Sequence, residues 1–134
     1  MKKYLIIFVL FTIVSCTDRV PDPSYIHKIQ NLSSHNVIIN TYIDQNFKKA
    51  IVIDSQSTYE IKLETASLFN YNDDRVSFVF DNEKELNYYY DSIDTQTINN
   101  PYFSKGHGFV CEDNPYVCVY TITNEDYDRA ELIR

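Results

Sequence analysis

Tryptophan is absent from the 134-residue chain, glycine occurs only at Gly106 and Gly108, and cysteine only three times. The two glycines are followed by no Gly-Lys-Ser/Thr and precede no helix start, which excludes a phosphate-cradling loop. Basic residues are outnumbered: 12 Lys and Arg stand against 19 Asp and Glu, a formal charge of −7, with no basic run. Phosphate binding needs clustered cations, so nucleic acid is excluded as a partner, and so is adsorption to anionic lipid head groups. No Cys-x-x-Cys or His-x-x-x-His spacing supplies a metal site. The acidic groups, Asp73 with Asp74, Asp81 with Glu83 and Glu85, and Glu125 with Asp126 and Asp128, do not follow the Asp-x-Asp-x-Asp-Gly order of a calcium loop. They read as turn acids and helix N-terminal acids. His27, His35 and His107 lie far apart in different predicted elements, and no nucleophile motif accompanies them. They read as solvated or turn histidines. No catalytic residue, metal or cofactor is therefore assigned, and no repeat, heptad or low-complexity tract is present.

The one long apolar run is at the start. Met1-Lys2-Lys3 is a basic head and Tyr4 to Val14 is almost wholly apolar. At roughly 1.5 Å per helical residue that run is too short to span a hydrocarbon core of about 30 Å, and the layout is that of a secretory signal. Its ending, Ile13-Val14-Ser15-Cys16, resembles the lipobox of bacterial lipoproteins. The resemblance implies that residues 1–15 are removed as a signal peptide and that Cys16 becomes the acylated N-terminus. Each buried CH₂ of an acyl chain such as palmitate contributes about 0.8 kcal/mol, so two or three chains give a lasting membrane anchor. Thr17, not an acid, follows the cysteine. The enterobacterial retention rule places Asp there, so the expected address is the cell envelope and its outer membrane, on the periplasmic or surface face. Pro21 and Pro23 then make residues 16–23 an extended tether. Residues 24–134 are expected to form a single domain.

With Cys16 lipidated, Cys111 and Cys118 remain as an even pair in an oxidising compartment, and a disulfide is expected between them. The alternatives are two reduced thiols or a metal pair, the latter short of ligands. From Tyr25 the apolar period is near two. Strands are predicted over residues 25–30, 37–44, 49–53, 58–64, 76–80, 85–91 and 116–121. Thr58 to Glu64 alternates most regularly, with Tyr59, Ile61 and Leu63 on the buried face. A tight turn is expected at Gln45-Asn46 and a hairpin across Asp81 to Lys84. Residues 92–115 read as a long loop, and Thr123-Asn124-Glu125-Asp126, with a hydroxyl or amide to cap free amides, as the start of a short C-terminal helix through Leu132. About seven strands spaced near ten residues point to a mainly β fold, a small antiparallel β-sandwich, Ig-like or partly closed as a barrel.

The lipobox, the Asn31-Leu32-Ser33-Ser34 turn, the Val76 to Tyr90 hairpin and the Tyr120 to Tyr127 ending together resemble small uncharacterised lipoproteins of Bacteroidetes. The resemblance covers most of the mature chain and implies an all-β lipoprotein; it brings no chemistry. Twelve tyrosines favour strands and also suit binding surfaces, since each ring is apolar with a polar tip. Tyr89 is expected to face outward, Tyr102 and Tyr116 to lie in or beside the long loop, and His107 to be exposed. These four are the candidate binding surface for a protein or glycan. The expected function is thus a non-enzymatic, membrane-anchored binding or structural module. One rival is an inhibitor or immunity lipoprotein that blocks a hydrolase with the loop from Ser104 to Cys118. The other is a small hydrolase.

Overall fold

The computed structural model describes residues 24–64, 68–69, 73–90, 100–102, 110–111 and 116–134. Cys16, His107 and most of the expected long loop lie outside these residues.

Short alternating segments become strands that cross repeatedly between two sheets. β1 (Tyr25–Asn31) enters one sheet, the hairpin of β2 (Val37–Ile43) and β3 (Asn46–Ile53) enters the other, and β4 (Thr58–Leu63) returns beside β1. A second hairpin, β5 (Arg75–Phe80) with β6 (Lys84–Tyr89), joins β2. β7 (Val110–Cys111) and β8 (Val117–Ile122) complete the first sheet, and helix α1 (Asn124–Arg129) leads to β9 (Glu131–Leu132). The sheets have orders β4-β1-β8-β7 and β3-β2-β5-β6-β9. The expected small β-sandwich is what forms, as two open sheets rather than a barrel. Its seven predicted strands are all present, and β7 and β9 are additional. Pairing is antiparallel except between β1 and β8, which run parallel.

The core lies between the sheets. Ile29, Tyr120 and Ile122 from one and Val37, Ile39, Val76, Phe78 and Phe80 from the other are wholly buried. Phe78 and Tyr120 meet edge to face across the gap, with ring centroids 5.7 Å apart. Burying side chains of this size stabilises the fold by about 1.5–3 kcal/mol each. The Tyr120 hydroxyl, brought into the core, shares a hydrogen bond with Tyr88. Arg129 in turn donates to the Tyr88 hydroxyl at 3.3 Å and pairs with buried Asp126. Burial pushes the Tyr120 phenol well above its ordinary pKa, and the neighbouring Tyr88 and Asp126 push it further. His27, expected to be solvated or in a turn, is instead buried on β1 between the partners Ile61 and Cys118. The alternation of β1 turns His27 inward with Ile29.

The end of the sandwich away from Tyr25 is tied by one side chain. Asn31 is fully buried, and its amide donates to the carbonyls of His35 (2.8 Å), Asp54 (3.1 Å) and Ile53 (3.3 Å) while its Oδ1 accepts from Ser33 N–H (3.1 Å) and Ser33 Oγ–H (2.6 Å). Three segments meet there: the end of β1, the turn after it, and the turn after β3. Gln56, at φ 57°, adds donations to the Leu32 and Ser33 carbonyls. At the C-terminus Asp126 accepts the Thr123 N–H at 2.8 Å, a reciprocal cap that starts α1. The helix does not continue through Leu132. It stops at Arg129, Ala130 is extended, and Glu131 and Leu132 pair with Glu85 and Lys84. A six-residue helix gains little from propagation, whereas the edge of β6 offers open backbone partners.

Cys111 stands directly opposite Cys118 in the β7–β8 ladder, and the two are joined by a disulfide. Val110 and Cys111 are thus a strand, where the sequence read loop. Among the described residues no helix is long and apolar enough to cross a membrane.

Candidate functional site

The outer face of the five-stranded sheet follows from the alternation of β2. Val37, Ile39 and Thr41 are buried, so Ile38, Asn40 and Tyr42 face out. Their neighbours form rows across the sheet. Val52, Ile38 and Val79 make an apolar row, and Ala50, Asn40, Ser77 and Asn87 a row of small or amide side chains. Phe47, Tyr42, Arg75 and Tyr89 make a third row at the end of the sandwich where β1 begins. That third row depends on a bulge. In the register Thr41↔Lys49 the residue opposite Tyr42 would be Lys48, but the register shifts after Thr41 and brings Phe47 there instead. Lys48, left over, reaches the buried carboxylate of Asp73 at 3.5 Å.

Aromatic and cationic contacts hold the row together. Phe47 packs edge-on to Tyr42 at 6.1 Å, and the Arg75 guanidinium lies over the Tyr42 ring, 3.7 Å from its centroid. Arg75 also donates to Asn87 Oδ1 at 3.4 Å. Behind the row, Asp44 and Gln45 form the two-residue turn of the β2–β3 hairpin, both with positive φ (49° and 65°). This primed geometry matches the twist of the strands and places the turn one residue before the expected Gln45-Asn46. Gln45 N–H donates to Asp74 Oδ2 at 3.0 Å, while Asp74 Oδ1 is buried with no hydrogen-bond partner among the described residues. The Asp74 main chain bridges the two hairpins by donating to the Tyr42 carbonyl and accepting from Tyr90 N–H, each at 3.0 Å.

A depression of about 510 Å³ results, lined by Gln45, Asp74, Arg75 and Tyr89. Tyr89, 49% exposed, is also a wall of a second depression of about 670 Å³ that runs past Asn87 toward Arg129 and Leu132. One ring therefore separates two concavities.

The four residues singled out from sequence fall in different places. Tyr89 lines both depressions. Tyr102 is half-buried: its hydroxyl donates to the Asp73 carbonyl at 2.9 Å and its ring packs edge-on to Phe69 and Tyr90. Burial, then the Asp73 and Asp74 charges, raise its pKa. Tyr116 precedes β8 in the other sheet, against Tyr25. His107 lies outside the described residues. Phe47, Tyr42 and Arg75 were not singled out, because only the hairpin register and its bulge set them beside Tyr89.

A second polar cluster occupies the opposite end. His35 Nδ1 is 2.7 Å from Asp81 Oδ2, and the imidazole stacks on Tyr127 with centroids 3.6 Å apart. Neither nearby serine offers its hydroxyl to this imidazole: Ser33 Oγ–H is turned to Asn31 and Ser34 Oγ–H to Asn124 Oδ1. The cluster ties the turn after β1 to the turn after β5, where Asn36 N–H donates to Asp81 Oδ1. Among the described residues no three His, Cys, Asp or Glu side chains gather as metal ligands.

Comparison of the chain with protein-family models, with curated proteins and with solved structures gives no match. The functional reading therefore rests on the geometry.

Proposed function

We propose that this protein is a lipoprotein of the cell envelope, of the small Bacteroidetes type, held at the outer membrane by acyl groups on Cys16, and that it acts without catalysis by binding a protein or glycan. The outer face of the five-stranded sheet is its binding surface. The observation that carries this reading is the in-register row Phe47, Tyr42, Arg75 and Tyr89 beside a depression of about 510 Å³. Rows of this kind combine exposed aromatic area with an oriented cation, the two features enriched where surfaces bind partners. Phe47 is 60% and Tyr89 49% exposed, which leaves the ends of the row accessible. The test uses the full chain purified in detergent and offered to immobilised envelope proteins and polysaccharides. Retention that is lost in Phe47→Ala with Tyr89→Ala, with an unchanged far-UV spectrum, supports the reading; retention that ignores both substitutions refutes it.

A second reading draws support from the Cys111–Cys118 bond, which pins one end of the segment from 104 to 118. An inhibitor or immunity lipoprotein would present such a segment to a hydrolase. One stoichiometric enzyme captured by the chain, released by Cys111→Ser with Cys118→Ser but not by Tyr89→Ala, would decide for it.

A further inference from the structure

We infer that the depression between Gln45, Asp74, Arg75 and Tyr89 is a subsite for a neutral hexopyranose unit of a glycan. The inference rests on the binding reading above and names the ligand class of that same face. Its volume of about 510 Å³ lies within the ~300–1,000 Å³ of clefts that hold small ligands. Tyr89 provides the apolar wall. A pyranose ring has one face of C–H groups, and such a face stacks on a half-exposed aromatic ring while the hydroxyls project sideways.

The polar groups beside that wall are of complementary kinds. An ionised Asp74 only accepts hydrogen bonds, and its Oδ1 has no partner among the described residues. Arg75 only donates. Its guanidinium is fixed over Tyr42 with one donation to Asn87, which leaves further N–H groups of its fork for a ligand. Hydroxyls both donate and accept, so neighbouring hydroxyls of one sugar can serve an acceptor-only and a donor-only group together. Asp74 Oδ1 is shielded from solvent, so a ligand hydroxyl reaches it only when its cover moves, and the compensation is a hydrogen bond that the unliganded protein lacks.

Charge selects the neutral sugar. Asp74 and Arg75 cancel locally, whereas the chain carries −7 in all. An anionic sugar would meet Asp74 and the field of an acidic protein; a cationic one would meet Arg75. Extent favours more than one unit. At about 4.8 Å between strands, the row from Tyr89 to Phe47 spans roughly 14 Å, and the second depression continues beyond Tyr89.

The experiment titrates the full chain in detergent with dextran, a yeast-type mannan and polygalacturonate, and follows binding by calorimetry. At least one neutral polymer is expected to bind more tightly than the acidic one. Tyr89→Ala should weaken it by about tenfold or more, and Tyr89→Phe, which keeps the ring, by less than about threefold. Asp74→Asn should weaken the neutral polymer while leaving the fold intact by far-UV spectrum. Preference for polygalacturonate, or neutral binding indifferent to Tyr89→Ala and Asp74→Asn, overturns the inference. Self-association or protein capture that depends on Phe47 and Tyr89, with no neutral polymer bound, overturns the sugar and leaves the binding face standing. If no ligand, protein or second copy responds to these substitutions, both fall.

Discussion

Replacing Asn31 by alanine removes the side chain that joins three backbone segments at one end of the sandwich. In the native chain its amide serves the carbonyls of His35, Asp54 and Ile53, and its oxygen serves two donors of Ser33. Each such bond is worth about 0.5–1.5 kcal/mol net, and a donor or acceptor left buried without a partner costs about 1–3 kcal/mol. The His35 and Asp54 carbonyls are partly accessible, so water recovers some of the loss. The expected destabilisation is about 3 kcal/mol, a large share of the ~5–15 kcal/mol typical of a domain. With a urea slope of roughly 1–2 kcal/mol/M, the midpoint should fall by about 2 M. Asn31→Asp gives the sharper contrast. It keeps the acceptor toward Ser33 and turns a carboxylate oxygen toward three carbonyls, so at pH 7 it should be at least as harmful as alanine. The introduced carboxyl is favoured in its neutral form, which raises its folded pKa above the unfolded value near 4. Its penalty is then full above the folded pKa, fades as pH falls from there toward the unfolded value, and is gone below it. Equilibrium urea denaturation at pH 7 and pH 4 measures both. A loss below about 1 kcal/mol for Asn31→Ala, or no acid recovery in Asn31→Asp, would refute the tie.

Asp81 is held below its ordinary pKa by its hydrogen bond to His35 and then by Asn36 N–H. That stabilisation is present above the ordinary value and is lost as pH falls below about 4, so denaturation midpoints of Asp81→Asn should show a flatter acid limb than the natural chain. Converting Cys111 and Cys118 to serine should cost roughly 2.5 kcal/mol or less, from the loop of about eight residues that the bond closes, with the strands still formed. Intact mass without reductant should find no free thiol at these two positions. Alkaline titration followed at 295 nm should leave the phenol of Tyr120 un-ionised until the chain unfolds, because burial raises it well above the ordinary range. Cys16→Ser should abolish lipid labelling and detergent-phase partitioning; mature-sized protein still in that phase would refute the anchor.

Local regularity was readable before any fold. The alternation of Thr58 to Leu63, and the turn chemistry after Asn31 and Phe80, follow from a side-chain period of two and from the short polar side chains that favour turns. A pair of cysteines seven residues apart, with turn-forming residues between, could be matched without knowing the sheet. The mainly β, two-layer class follows from the same pattern, because each strand offers one apolar face that another sheet must cover.

Partnership was not readable. The same alternation is compatible with many pairings, so neither the parallel contact of β1 with β8 nor the burial of His27 beside Cys118 is written in a local stretch. The fate of Glu131 and Leu132 was settled by the open edge of β6, which outweighed their continuation of a short helix. The candidate site shows the effect most sharply. Phe47 joins Tyr42 only because a bulge displaces Lys48, and the Arg75–Tyr89 pair joins Tyr42 only because two hairpins lie side by side. Alternation is a property of one strand and is fixed by covalent geometry; register between strands is fixed by contacts among residues distant in sequence, and those exist only once the sheets have closed.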